Sequence, residues 1–194
     1  ISGGLTGGDN SYSFRWDQST DHSSWTEAEG TANGTSYDPG ILTQTHYYRR
    51  IVTSGACADT SLYKTITVLP LIAGNTISSD QNICQGSSFA DIGGQEPSGA
   101  AGPGSYTYKW ITSSDKNLWS DAPGLNSGLN YNPSNDSPGT YYFRRVTISG
   151  LNDVCRDTTS YLTLISYPSV TNNTIASPQT ICAGATINDL TGSA

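Results

Sequence analysis

The chain predicts an all-β protein built of tandem β-sandwich modules, two nearly complete and a third begun. Three observations carry that reading. The same sentence is written twice: Tyr12-Ser-Phe-Arg-Trp16 returns as Tyr106-Thr-Tyr-Lys-Trp110, and His46-Tyr-Tyr-Arg-Arg50 as Tyr141-Tyr-Phe-Arg-Arg145. The offset is 110 − 16 = 94 residues, the size of a small domain rather than a solenoid turn. Segments alternate or are β-branched, with Gly, Pro, Asn or Asp at intervals of roughly eight to twelve residues, the punctuation of a sandwich of short strands. No stretch holds a helical period for three turns.

Each element follows in order. Tyr12, Phe14 and Trp16 fall on one face of a strand, as do Tyr106, Tyr108 and Trp110. A polar turn over 19–24, or 112–117, sends the chain back through Trp25 or Trp119 as a hairpin. A strand with Tyr37 or Tyr131 ends at Pro39 or Pro133. The long strand 46–53, or 141–148, follows, then a Ser-Gly turn and a last strand over 62–69, or 161–166. Pro70 and Pro168 stop it, because proline has no N–H for a ladder. The predicted core is Trp16, Trp110, Tyr47 and Tyr142, with Arg50 and Arg145 laying their stems on the sheet and their heads in water.

The boundaries predicted are 1–70 for the first module, which lacks its opening strand, 71–168 for the second, and 169–194 for the opening strands of a third. Asn75-Thr-Ile-Ser and Gln81-Asn-Ile-Cys-Gln-Gly86 return as Asn173-Thr-Ile-Ala and Gln179-Thr-Ile-Cys-Ala-Gly184 at an offset of 173 − 75 = 98. The sequence is thus cut in mid-repeat. Either it is a window on a longer repetitive protein, or residues 171–194 complete the first module of a neighbouring copy by strand addition.

Composition narrows the function. Charged residues make up 13%, Gly, Ser, Thr and Asn are plentiful, and the net charge is −7. Phosphate neutralisation needs clustered Lys and Arg, so nucleic acid is not an expected partner. No apolar run is long enough to insert in a membrane. Four cysteines keep phase with the repeat, Cys57 with Cys155 and Cys84 with Cys182, which points to an oxidising compartment. No Cys-x-x-Cys exists and neither histidine neighbours a cysteine, so neither a metal nor a cofactor is expected.

Tyr-x-Tyr/Phe-x-Trp, a second Trp nine residues on (25 − 16 = 9), Tyr-x-Pro, Tyr-Tyr-x-Arg-Arg and Asn-Thr-Ile-Ser…Gln-x-Ile-Cys-x-Gly together resemble the tandem Ig-like repeats of giant secreted and cell-surface adhesin-like proteins of Bacteroidota. Many proteins of that kind are displayed through type IX secretion and gliding-associated machinery. The resemblance covers essentially the whole chain. It implies tandem immunoglobulin-like β-sandwich domains outside the cell, acting as a spacer, filament or adhesive stalk. Antibody-type domains place a disulfide between the sheets. Here the long strand offers Tyr47 and Tyr142 instead, and each cysteine sits beside a turn. The pairing favoured is Cys84–Cys155, closing 155 − 84 = 71 residues, worth about 4 kcal/mol in the chain-entropy model. Cys57–Cys84 with Cys155–Cys182, or links to neighbouring copies, are the alternatives.

Chemistry is sparse. His22 lies in a turn, and His46 becomes Tyr141 in the second copy. The first copy's Asp17 and Glu29 become Ile111 and Pro123. No Gly-x-Ser-x-Gly elbow occurs, and no enzyme is expected. Asp21 and Asp115 match inside the turn, where Asp serves turn geometry; calcium is the sharper alternative, with too few oxygen ligands. Trp25 and Trp119 are the candidate ligand-facing aromatics, with surface glycans as partners if both are exposed in a groove. Asp157-Thr158-Thr159 is similar to the O-glycosylation motif of Bacteroidota, which marks Thr158. The function expected is a rigid structural repeat of an extracellular fibre or adhesin stalk, partnered by neighbouring repeats or copies of itself. The alternative is a carbohydrate-binding adhesive module.

Overall fold

The computed structural model describes residues 4–134 and 137–193. The chain divides into two compact units, 1–71 with 99–101, and 72–98 with 102–194. Both are β-structure, and among the described residues one short 3-10 turn, Leu151–Asp153, is the only helical piece.

The second unit shows the complete architecture. Its sheet runs β6 (Gln81–Cys84), β11 (Leu162–Tyr167), β9 (Gly139–Ser149), β7 (Thr107–Ser113) and β8 (Ser120–Asp121). The opening strand β6 lies parallel to the last strand β11; the other pairs are antiparallel. A second layer covers one face. It is held by the bridges Ala73–Ser98 and Ile92–Tyr131 and by Ser78 N–H donating to the Gly93 carbonyl at 2.7 Å. A first strand parallel to the last, antiparallel hairpins between, and a thinner opposed layer make an immunoglobulin-like β-sandwich. The predicted strand through Tyr131 is thus reduced to a single bridge.

The last strand is broken in two. After the 3-10 turn, β10 (Cys155–Thr158) pairs with the end of β9, Cys155 opposite Ser149; β11 takes over lower down, Leu162 opposite Phe143. The first unit repeats this with β4 (Cys57–Thr60) and β5 (Lys64–Ile66) beside β3 (His46–Ser54), followed by β1 (Ser13–Ser19) and β2 (Thr26–Glu27). Period-two reading did not find β4 or β10, because they are short and follow turns with no apolar alternation.

Register corrects the predicted core. Trp110 pairs with Arg145 and Thr112 with Phe143, so Phe143 and Arg145 share the inner face with Trp110. Tyr142 and Tyr47 are one residue out of phase and only half-buried; Phe143 and Tyr48 are the buried rings. Trp110 is fully buried among Phe89, Ile92, Tyr131, Phe143, Leu162 and Leu164. Its ring stacks on Tyr131 at 5.7 Å and its Nε1 donates to the Gly128 carbonyl at 2.9 Å. Trp16 makes the matching bond to Gly34 at 3.0 Å but stays half-buried, over a core of only Ala28, Ala32 and Tyr48.

The pairing Cys84–Cys155 is excluded by the same ladders. Cys84 lies opposite Tyr167, one step past the Ser166–Gly139 pair and so level with position 138 of the chain. Cys155 lies opposite Ser149. The difference, 149 − 138 = 11 residues, puts roughly 35 Å of strand between them, whereas a disulfide needs Cα atoms within about 7 Å. Within the second unit Cys155 and Cys182 are unpaired as well.

Candidate functional site

Two sets of residues stand out, and both are built twice. One is the inner-face arginine with the segment that covers it. The other is a row of aromatic rings and cations on the outer sheet face.

Arg145 overturns the expectation of a head in water. It is completely buried. Nε donates to Asn75 Oδ1 at 3.1 Å, Nη1 to the Leu129 carbonyl at 3.0 Å, and Nη2 to the carbonyls of Thr76 and Gln95 at 3.1 and 3.2 Å. The guanidinium also lies over Tyr108 and Trp110. A buried charge survives only when its donors are answered, and here carbonyl and amide oxygens answer them. Asn75 is fixed in turn by Thr147 Oγ1 at 3.0 Å and Asp157 Oδ2 at 2.9 Å. Three of the four bonds on Arg145 therefore come from the opening segment 73–98.

Arg50 occupies the same place in the first unit, with the corresponding bond from Nη1 to the Thr35 carbonyl at 2.9 Å. It is half-buried, over Phe14 and Trp16. No other hydrogen bond to its guanidinium is made among the described residues.

Residues 173–193 carry those acceptors again, already folded. Gln179 brackets Asn188 with bonds of 3.1 and 3.0 Å, as Gln81 brackets Ala90 with 3.1 and 2.8 Å. Ala176 N–H donates to the Thr191 carbonyl at 2.7 Å, matching Ser78 to Gly93. What differs is cover. Phe89 and Ile92 are buried and Ile77 and Ile83 pack on the core. Their counterparts Ile187, Leu190, Ile175 and Ile181 are 62, 65, 75 and 47% exposed.

On the outer face, the Arg49 guanidinium lies 4.2 Å from the Trp25 ring and bonds Asp17 at 3.1 Å; Arg15 holds the other oxygen of Asp17 at 2.9 Å. Arg144 lies 4.3 Å from Trp119 in the same way, but Ile111 stands where Asp17 stood. Lys116 sits 4.6 and 4.7 Å from the rings of Tyr142 and Tyr161, where the first unit has His22 against Tyr47 and Tyr63. The Tyr161 hydroxyl, ahead of other neighbours, holds the Lys116 ammonium above its ordinary range. Trp25 and Trp119 are neither open nor buried: each is half-exposed, its indole N–H fixed at 3.0 Å on the carbonyl of His22 or Lys116.

The turns behave as turn chemistry. Asp21 Oδ1 accepts from the amides of Ser23 and Ser24, both at 2.8 Å, and from Ser19 Oγ at 3.0 Å. The amide of Ser24, then that of Ser23, then the Ser19 hydroxyl hold its carboxyl down to about 2. Asp115 repeats the arrangement with Leu118, Asn117 and Ser113 and is likewise held low. Among the described residues no three His, Cys, Asp or Glu side chains gather as a metal site. No helix there is long and apolar enough to cross a membrane. Thr158 is exposed on β10.

Comparison with known proteins adds a family. A family described as a domain of unknown function, DUF8696, matches residues 1–70 and again 73–169. No curated protein matches the sequence. Among solved structures, the chain is similar to one of Sidekick-1 immunoglobulin domains 1–4, with 13% identity and a TM-score of 0.31. That match covers 84% of this chain and 42% of the other.

Proposed function

The chain belongs to the DUF8696 family of domains of unknown function, and from that premise we propose that its Ig-like modules are structural units of an extracellular fibre or adhesin stalk, joined by strand addition. The observation that carries this reading is the mismatch between Arg50 and the segment 173–193. Among the described residues the first unit has an arginine whose guanidinium meets one acceptor, over a thin core. The segment aligns without a gap, at the offset of 98, with the piece that gives Arg145 its other acceptors and covers Trp110, and keeps Asn173, Thr174, Ile175, Gln179 and Ile181.

In this reading, residues 173–192 of one copy lay Asn173 and Thr174 on Arg50 of the next. Ile175, Ile181, Ile187 and Leu190 cover Trp16 and Tyr48. Main-chain bonds to the open side of β5 supply affinity, and the apolar side chains supply register. Each joint leaves a new open segment, so the contact is head to tail and extends without closing. The repeat bears load and carries no catalysis. Secretion to the surface of a bacterium of the Bacteroidota belongs to the same proposal and rests on the sequence resemblance.

The test is assembly. The chain should form concentration-dependent oligomers in light scattering. Truncation after Pro168 should leave monomers. A peptide of residues 171–194 should bind the truncated chain and raise the melting temperature of its first unit. A strictly monomeric full chain whose first unit ignores the peptide overturns the proposal.

A further inference from the structure

We propose that the outer sheet face of the second unit binds a carboxylated saccharide, with Arg144 gripping the carboxylate between Trp119 and Tyr161. The inference is independent of the fibre reading, since it uses the opposite face of the sheet.

The first unit supplies the comparison. There Arg49, stacked on Trp25, meets the carboxylate of Asp17. The first repeat thus fills its own guanidinium with its own acid. In the second repeat the ring is kept as Trp119 and the arginine as Arg144, at 4.3 Å, but the acid is replaced by Ile111 in the same register position. Arg144 has no carboxylate and no hydrogen-bond acceptor among the described residues, and its Nε is buried without a partner. Asp121, opposite Ile111 on the neighbouring strand, is taken by Lys109 at 2.8 Å. A guanidinium cannot lose its proton, and its planar fork fits a carboxylate in two parallel bonds.

The surroundings choose the class of ligand. Trp119, Arg144, Tyr161, Lys116 and Tyr142 follow one another as a row of alternating rings and cations, with gaps of 4.3, 5.8, 4.7 and 4.6 Å. Rings held this way present edges and faces to the C–H side of a pyranose, while the two cations take its acid group. Lys116 is exposed and Tyr161 is 41% exposed, so the row opens to solvent. The chain as a whole carries −7, which makes this cationic row a local exception. An acidic peptide would satisfy the cations but would leave the row of rings unused.

The probe is trigalacturonate, compared with its fully methyl-esterified form, which keeps the rings and removes the charge. Binding is followed by nuclear magnetic resonance on the Trp119 indole N–H. We expect saturable binding of the acid form, at least ten-fold weaker binding of the ester, and weakening by added salt. Ile111→Asp should rebuild the first repeat's internal pair and reduce binding at least ten-fold while leaving the fold intact. Arg144→Lys should weaken binding similarly, because the fork is lost. The proposal is overturned by equal binding of acid and ester, by no binding of either, by an Ile111→Asp chain that binds undiminished, or by a glutamate-rich decapeptide binding as tightly as the saccharide.

Discussion

Arg145 Nε donates to Asn75 Oδ1 at 3.1 Å across 70 residues of sequence, and this bond ties the opening segment of the second unit to its central strand. Asn75 is the pivot, since the same oxygen accepts from Thr147 Oγ1. Asn75→Ala should leave two buried donors unanswered and destabilise the second unit by about 2–4 kcal/mol. Arg145→Met should cost at least as much as Asn75→Ala, because it removes the buried charge but leaves the Leu129, Thr76 and Gln95 carbonyls without their donor. Urea unfolding followed by Trp110 fluorescence checks the order; equal, negligible losses would show that the network carries no stability.

The two tryptophans should differ. Trp110→Ala empties a fully enclosed site and should cost about 3–5 kcal/mol. Trp16 is half-exposed over a thin core, so Trp16→Ala should cost less than half as much. Adding the 171–194 peptide should bring the Trp16 loss closer to that of Trp110. Thermal melts of each variant, with and without peptide, give the comparison.

Much of this was legible in the sequence, and the misses share a cause. The repeat and the punctuation by turns gave the all-β modules, because period and turn residues are local properties. The inner face was mis-phased by one residue at Tyr47 and Tyr142, because Tyr-Tyr and Tyr-Tyr-Phe runs present a ring at every position and alternation cannot pick among them. The burial of Arg145 was illegible: its acceptors at Asn75, Thr76 and Gln95 lie 50 to 70 residues away. One signal was available. Asn75-Thr-Ile recurs with each repeat, and a fixed Asn ahead of a sandwich asks which buried donor it serves. The favoured pair Cys84–Cys155 was misjudged on a non-local fact, since the two residues stand at opposite ends of one sheet.

The turn carboxylates make a pH prediction. Asp21 has its folded value lowered from 3.8 to about 2. The unfolded chain therefore binds more protons in that interval, and the contribution of Asp21 is complete above 3.8 and lost as pH falls through about 2. A carbon-detected titration should place the Asp21 midpoint near 2, and Asp21→Asn should flatten the acid limb of stability in the same interval. A midpoint at the ordinary value would mean the Ser23 and Ser24 amides do not hold the carboxylate in solution. Calcium should leave the melting temperature unchanged, because the Oδ1 lone pairs of both turns already face N–H groups.

Gly94 tests how closely the two stretches of the opening segment, 76–78 and 93–95, must approach. A Cβ built there would stand 1.9 Å from the carbonyl oxygen of Thr76, and that oxygen is one of the acceptors for Arg145 Nη2. Backbone cannot give way as a flexible side chain does, so Gly94→Ala must force 76–78 and 93–95 of the opening segment apart and disturb the bond from Arg145 to the Thr76 carbonyl. The expected loss is about 1–3 kcal/mol for overpacking, with a further about 1–3 kcal/mol if Arg145 loses its acceptor. Gly86→Ala is the control: its Cβ meets nothing, but its φ of +88° taxes any side chain, so it should cost about 1 kcal/mol from backbone strain alone. Hydrogen exchange at the Ile92 and Tyr131 amides, which bond each other's carbonyls within the covering layer at 2.8 and 2.7 Å, separates the two cases. Gly94→Ala should speed their exchange well beyond what Gly86→Ala does, and equal rates would show that the covering layer is not held at this point.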